Sequence, residues 1–264
     1  MSPELYFALT LILKMVVTAG FVLAATVTAE RAGPLVGGLV ATLPLGAGPV
    51  YVFLALDHGA HFIGASAINS LAINTVNVAF ALVYAWLAQT RSLTVSLTLA
   101  MLMWAVLAWG VHEVQWTMLQ AALLNVVVLS ACILLARPLR HVQFPRMRTY
   151  WYDLALRAAM VALLVGVTVT LSFRIGPAGS GILAVFPIIL ISIMLILHRR
   201  VGGKPTAAVM ANAVTGLVGF AFACAVLHFT ADAFGSAIGL SLALSTSVAW
   251  GLIVYSLRRR GVDI

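Results

Sequence analysis

The sequence predicts an all-α polytopic membrane protein with about nine transmembrane helices, arranged as two inverted repeats. Composition is the first reason. Apolar residues make up 63% of the chain and charged residues only 8%, against about a quarter charged in soluble domains, so the surface must face lipid. The second reason is a duplication. Arg31-Ala-Gly-Pro-Leu-Val-Gly-Gly-Leu-Val-Ala-Thr-Leu-Pro44 returns 143 residues later as Arg174-Ile-Gly-Pro-Ala-Gly-Ser-Gly-Ile-Leu-Ala-Val-Phe-Pro187. At the same offset Lys14 meets Arg157, Gly59 meets Gly202 and Asn69 meets Asn212. Chance identity in an apolar chain falls on Leu, Ala and Val. Recurring Pro, Gly, Asn and basic positions mark a repeat. The third reason is the placement of basic residues, taken up below.

A membrane helix needs about 20 apolar residues. Nine stretches fit: 5–27, 34–56, 62–88, 93–111, 115–136, 150–172, 178–198, 206–229 and 235–257. The block 93–136 is too long for one span, and Gly110-Val-His112-Glu113 supplies a turn; without it the count falls to eight. The whole of 1–264 reads as one integral membrane domain. Repeat 1 covers about 5–111, a linking helix 115–136, a cytoplasmic loop 137–149 and repeat 2 about 150–257. Cys132 and Cys224 lie inside apolar runs and read as packing residues.

With nine spans, one side receives Arg31, Arg91, Arg137, Arg140, Arg146, Arg148, Arg199, Arg200, Lys204, Arg258, Arg259 and Arg260. The other receives Arg174 alone. That asymmetry sets a cytoplasmic C-terminus and an outside N-terminus in a multi-pass bacterial inner-membrane protein. The net charge of +8 is therefore a topology signal and not a nucleic-acid footprint. Span 1 enters from outside and its copy, span 6, from the cytoplasm. The copies are inverted, and the fifth span is the extra helix that flips the second. Inverted repeats characterise many secondary transporters.

Lys14, the Gly-rich span ending in Pro44, the polar turn at Asp57-His58-Gly59 and the helix with Asn69 resemble the GlpM family of small inner-membrane proteins. The resemblance covers about residues 10–88, and more weakly 153–230. Members are about half this length, so the resemblance implies the half-unit architecture.

The candidate binding residues follow from the repeat. Lys14 and Arg157 lie deep in their spans, where a charge costs about 2.5–3.5 kcal/mol on insertion scales. Asp153 is an i,i+4 partner for Arg157, while Thr10, Met15, Val17 and Thr18 offer Lys14 no carboxylate. No Asp or Glu lies deep in a span, so two deep cations suit a substrate that brings its own negative charge. Both are expected to line one central cavity. Pro44 removes a helix hydrogen bond, and with Gly46 and Gly48 it either kinks or interrupts span 2. Pro187 is expected to give only a kink, because Ile188-Ile189-Leu190 looks continuous. Asn69 and Asn212 recur at matched positions, with Asn74 and Asn77 nearby, as amides for substrate contact; Asn125 reads as packing. His58 and His61 lack a third ligand for a metal and are read as pH-sensitive. Most tryptophans fall near span ends, as headgroup anchors.

No nucleotide loop, nucleophile triad, zinc motif or paired carboxylates are present. The expectation is no enzyme, no cofactor, no metal and no nucleic acid. The partners are the bilayer and a small anionic substrate, with a homodimer among the admissible assemblies. The function expected is a secondary transporter or exporter of a small anionic or zwitterionic metabolite. The alternatives are an accessory scaffold for an envelope enzyme and a narrow anion channel.

Overall fold

The computed structural model describes residues 2–31, 44–140 and 151–260. Gly37, Gly38, Arg146 and Arg148 lie outside them, as do the first part of the expected span 34–56 and most of the loop 137–149. The described residues form α1 (Pro3–Arg31), α2 (Ala47–His58), α3 (Ala60–Leu87), α4 (Leu93–His112), α5 (Met118–Ala136), a 3-10 turn (Arg137–Leu139), α6 (Trp151–Ala184), α7 (Ile188–Val201), α8 (Gly203–Phe234) and α9 (Ser236–Arg259). No strand occurs among them. Apolar side chains such as Leu13, Val16, Val106, Leu119, Val127 and Phe173 stand exposed. In water these would be liabilities; in lipid they are the outer surface.

Among the described residues seven stretches, and not the expected nine, are long and apolar enough to cross a bilayer on their own. Two expected spans account for the difference. Helix α2 has 12 residues, too few for a hydrocarbon core of about 30 Å. The stretch Trp151–Val201 has 51 residues and holds two expected spans. As a straight helix it would reach roughly 75 Å. Instead it doubles back: Asp153 near its start is bonded to Arg200 near its end, while Ser172 lies far off beside His58. The reversal falls at Gly176, whose φ of 64° with ψ of −171° suits a residue without Cβ. Pro177 then opens the returning segment, where its missing N–H is harmless.

Central in the bundle are α3 and α8, which run antiparallel. Gly64 lies against Ala231, Asn74 bonds the Leu217 carbonyl, and Gly203 meets the Ala88 carbonyl. Antiparallel too are α1 and α6, with Met15 against Gly166 and Val22 against Ala158 and Val161. Helix α4 folds back along α3, α9 folds back along α8, and α5 lies against α3 and α8. Helix α5 begins with a capping box, in which Thr117 and Gln120 satisfy each other's backbone N–H groups.

The pairing sorts the charges. Arg91, Arg199, Arg200, Lys204, Arg258 and Arg259 sit at the end of the bundle where α3, α7 and α9 finish. Asp57, Glu113 and Asp232 sit at the other.

Candidate functional site

Two interruptions of the helical chain shape the interior. Helix α6 stops at Ala184 and α7 starts at Ile188, with Pro187 between them at φ −75° and ψ 44°. The kink expected at Pro187 is therefore a break. The apolar run Ile188-Ile189-Leu190 concealed it, because hydrophobicity does not report a missing hydrogen bond. In the first half Pro44-Leu45-Gly46 precedes α2 without being helical. Carbonyls next to the second break have lost their helical donors and find others on α3. Asn77 Nδ2 donates to the Val185 carbonyl at 2.7 Å, and Trp104 Nε1 donates to Asn77 Oδ1 at 2.7 Å. Ser70 Oγ donates to the Gly181 carbonyl at 2.6 Å. That bond uses the Ser70 proton, so Tyr51 donates its own at 2.6 Å. Trp104 also meets Phe186 edge-on, with centroids 4.9 Å apart.

The amides thus have structural partners. Asn74 Nδ2 donates to Asn125 Oδ1 and to the Leu217 carbonyl, and Asn125 in turn donates to the Leu71 carbonyl at 2.6 Å. Asn125 is more than packing: it holds α5 to α3. Asn74 Oδ1 is buried and accepts no bond among the described residues. Asn212 donates to Ala208 of its own helix at 2.8 Å. Asn69 is half-buried beside Gly181. The structure does not bring Asn69, Asn74, Asn77 and Asn212 to one cavity.

Lys14 has a carboxylate partner that its own helix could not supply. Its Nζ lies 2.5 and 2.6 Å from the two Asp57 oxygens, 43 residues away, with both side chains under a fifth exposed. In the second half Arg200 donates to Asp153 Oδ1 at 2.5 Å, across 47 residues, and lies over the Tyr152 ring. The 143-residue shift places Asp57 on Arg200. Each half therefore ties its long helix to the end of its short one by an ion pair, with the signs exchanged. Arg157 is half-buried on α6. A sequence signal for both pairs existed, in opposite charges at one repeat position, but helical spacing alone looks only three or four residues along.

A cavity of about 500 Å³ opens at the first break, between α1, α2, α8 and α9. Val17, Pro44, Tyr51, Phe220, Cys224 and Leu244 are among the residues around it. Its few polar side chains are already engaged: Thr18 with the Lys14 carbonyl, Ser241 with Ala237, and Tyr51 with Ser70. Pro44 and Gly48 line it as expected of a site at the break, whereas Gly46 packs on Ile188 and Ile189. Neither Lys14 nor Arg157 lines this cavity. Lys14 stands behind its wall, with Nζ 5.7 Å from the ring centroid of Phe53, a lining residue.

The histidines diverge. His58 meets Ser172 Oγ at 2.8 Å and stacks on Phe62, while His61 meets Asp232 at 3.2 Å. His198 pairs with the buried Tyr84 hydroxyl at 2.7 Å, joining α7 to α3. No protein-family model, no curated protein and no solved structure matches this chain.

Proposed function

We propose that the chain is a secondary transporter of a small anionic or zwitterionic molecule, built from two inverted copies that cross the bacterial inner membrane nine times. What carries the reading is a set of contacts between equivalent residues. Gly46 packs on Ile189, and Asn74 bonds the Leu217 carbonyl; the partners are each 143 residues apart. In a protein with a pseudo-two-fold axis, a residue can meet its own copy only on that axis. The Met15–Gly166 and Val22–Ala158 contacts of α1 and α6 are near-images of each other under the same shift. Three layers of the bundle therefore share one axis, and the contacts across it are antiparallel, as inversion requires. Gly59 (φ 84°, ψ −173°) and Gly202 (φ 85°, ψ 178°) turn the chain alike at equivalent positions.

Inverted repeats with broken helices at the middle of the bundle favour alternating access. The breaks meet at Gly46 and Ile189 on the axis, so rocking one copy against the other closes one entrance as it opens the other. The Lys14–Asp57 and Asp153–Arg200 pairs sit near opposite ends, where each holds a short helix to a long one. An anion that binds Lys14 competes with Asp57 and loosens that tie.

The experiment is uptake into proteoliposomes, using a carboxylate or amino acid chosen by thermal-shift screening. Lys14→Ala strands Asp57 and lowers stability by about 3 kcal/mol, the cost of breaking a largely buried pair. Lys14→Ala/Asp57→Ala removes both charges and recovers most of that stability. Neither variant transports. Full uptake by the stable double variant excludes Lys14 from the site.

A further inference from the structure

The two halves differ where the repeat says they should match. Beside the second break, Phe80 and Trp104 fill the space; Phe80 is fully buried, and Trp104 packs on Phe186. At the equivalent positions of the first half, 143 residues on, stand Ala223 and Ser247. The cavity of about 500 Å³ lies beside Ala223. It is written into the sequence by side-chain size at matched positions, and is not a packing fault common to both copies.

We infer that this cavity holds the alkyl chain of a single-chain anionic amphiphile whose head is recognised by Lys14. The tail assignment follows from the lining. Its side chains are apolar, and Thr18, Tyr51 and Ser241 spend their hydroxyl protons on protein acceptors, so a polar molecule would lose its hydrogen bonds to water without replacement. One mouth is open sideways, since Val17, Val52 and Leu244 are exposed on the lipid-facing surface. A chain can slide in from the bilayer without crossing water. The volume falls within the range of pockets that take one small ligand, and one alkyl chain suits it better than the paired chains of a phospholipid. The head assignment follows from Phe53. One side of that residue faces the cavity, and Lys14 Nζ lies 5.7 Å from its ring centroid. A carboxylate head passing the ring edge reaches the ammonium now held by Asp57. The inference rests on the transporter reading for its meaning, since it names the substrate class, but the binding site stands or falls without any transport.

The test is equilibrium binding in lipid nanodiscs with radiolabelled palmitate, set beside hexadecanol and butyrate. A palmitate analogue carrying a diazirine near the chain end then maps the site by mass spectrometry. Expected are adducts on Phe220–Leu227 of α8 and on Leu240–Leu244 of α9. Ala223→Phe, which copies the filled half, abolishes saturable palmitate binding. Val52→Trp blocks the exposed mouth without entering the core and does the same, which covers the case of a misfolded Ala223→Phe. Lys14→Gln weakens palmitate by about tenfold or more, the worth of one charge-assisted hydrogen bond, and leaves hexadecanol unchanged. Palmitate binding retained by Val52→Trp, or adducts confined to other helices, overturns the inference. So does a palmitate affinity that Lys14→Gln leaves alone, or binding of butyrate as tight as palmitate. Absence of uptake in proteoliposomes, with palmitate binding intact, rejects the transporter and keeps the site.

Discussion

Buried side-chain amides differ in what they hold, and the differences predict different costs. Asn77 satisfies both a carbonyl freed by the break at Pro187 and the Trp104 indole. Replacing it by Ala leaves two buried polar groups unpaired, an expected loss of about 1–3 kcal/mol. Asn212, the repeat partner of Asn69, bonds only its own helix, and Asn212→Ala is expected to change stability by about 0.5 kcal/mol or less. Thermal unfolding of the two variants in one detergent checks the ranking. Equal losses would mean that the Val185 carbonyl has another donor. The same comparison separates the two kinds of Asn in function. Only residues whose amides are not committed to the backbone can be exchanged between protein and substrate at low cost.

At the level of the element, glycines set how closely the helices meet. A Cβ at Gly181 would collide with the Ser66 backbone carbonyl, and one at Gly203 with the Ala88 carbonyl. Neither obstacle is a flexible side-chain end, so the helices themselves would have to separate. Gly20 on α1 has nothing within 4 Å of such an atom. Gly181→Ala is therefore expected to destabilise by about 1–3 kcal/mol, the usual range for overpacking. Gly20→Ala, by contrast, is expected to be neutral or to stabilise by up to about 1 kcal/mol through helix propensity. Opposite signs of the shift in melting temperature are the outcome to look for. A loss at Gly20 equal to that at Gly181 would contradict the packing described for α1. Close approach here replaces the hydrophobic driving force that lipid removes, because van der Waals contact and interhelical hydrogen bonds remain.

For the whole molecule, the decisive property is direction. The antiparallel contacts of α3 with α8 and of α1 with α6 put equivalent chain segments in opposite senses. The basic residues then collect at one end of the bundle, which the charge rule assigns to the cytoplasm. A cysteine placed at Ser2 is expected to react with an impermeant reagent from outside intact cells, and one at Thr90 only after permeabilisation. Labelling of both from outside would place two ends of the bundle on one face and end the inverted-repeat proposal.

The sequence by itself determined the class and the helical content, because lipid leaves a backbone few ways to satisfy its polar groups. It also located the repeat, whose offset of 143 residues carries Gly59 to Gly202 and Pro44 to Pro187. Helical spacing and hydropathy are local properties, and each is written in neighbouring residues. The partners were not legible in that way. Asp57 for Lys14, Arg200 for Asp153 and Asn77 for the Val185 carbonyl depend on how chain segments fold back, which no window of one helix contains. The break at Pro187 was hidden for a related reason: its cost is offset by donors on α3, more than a hundred residues away. The cavity was decided last of all, by the sizes of Ala223 and Ser247 against Phe80 and Trp104. Those residues acquire meaning only once tertiary packing has placed the two halves about one axis.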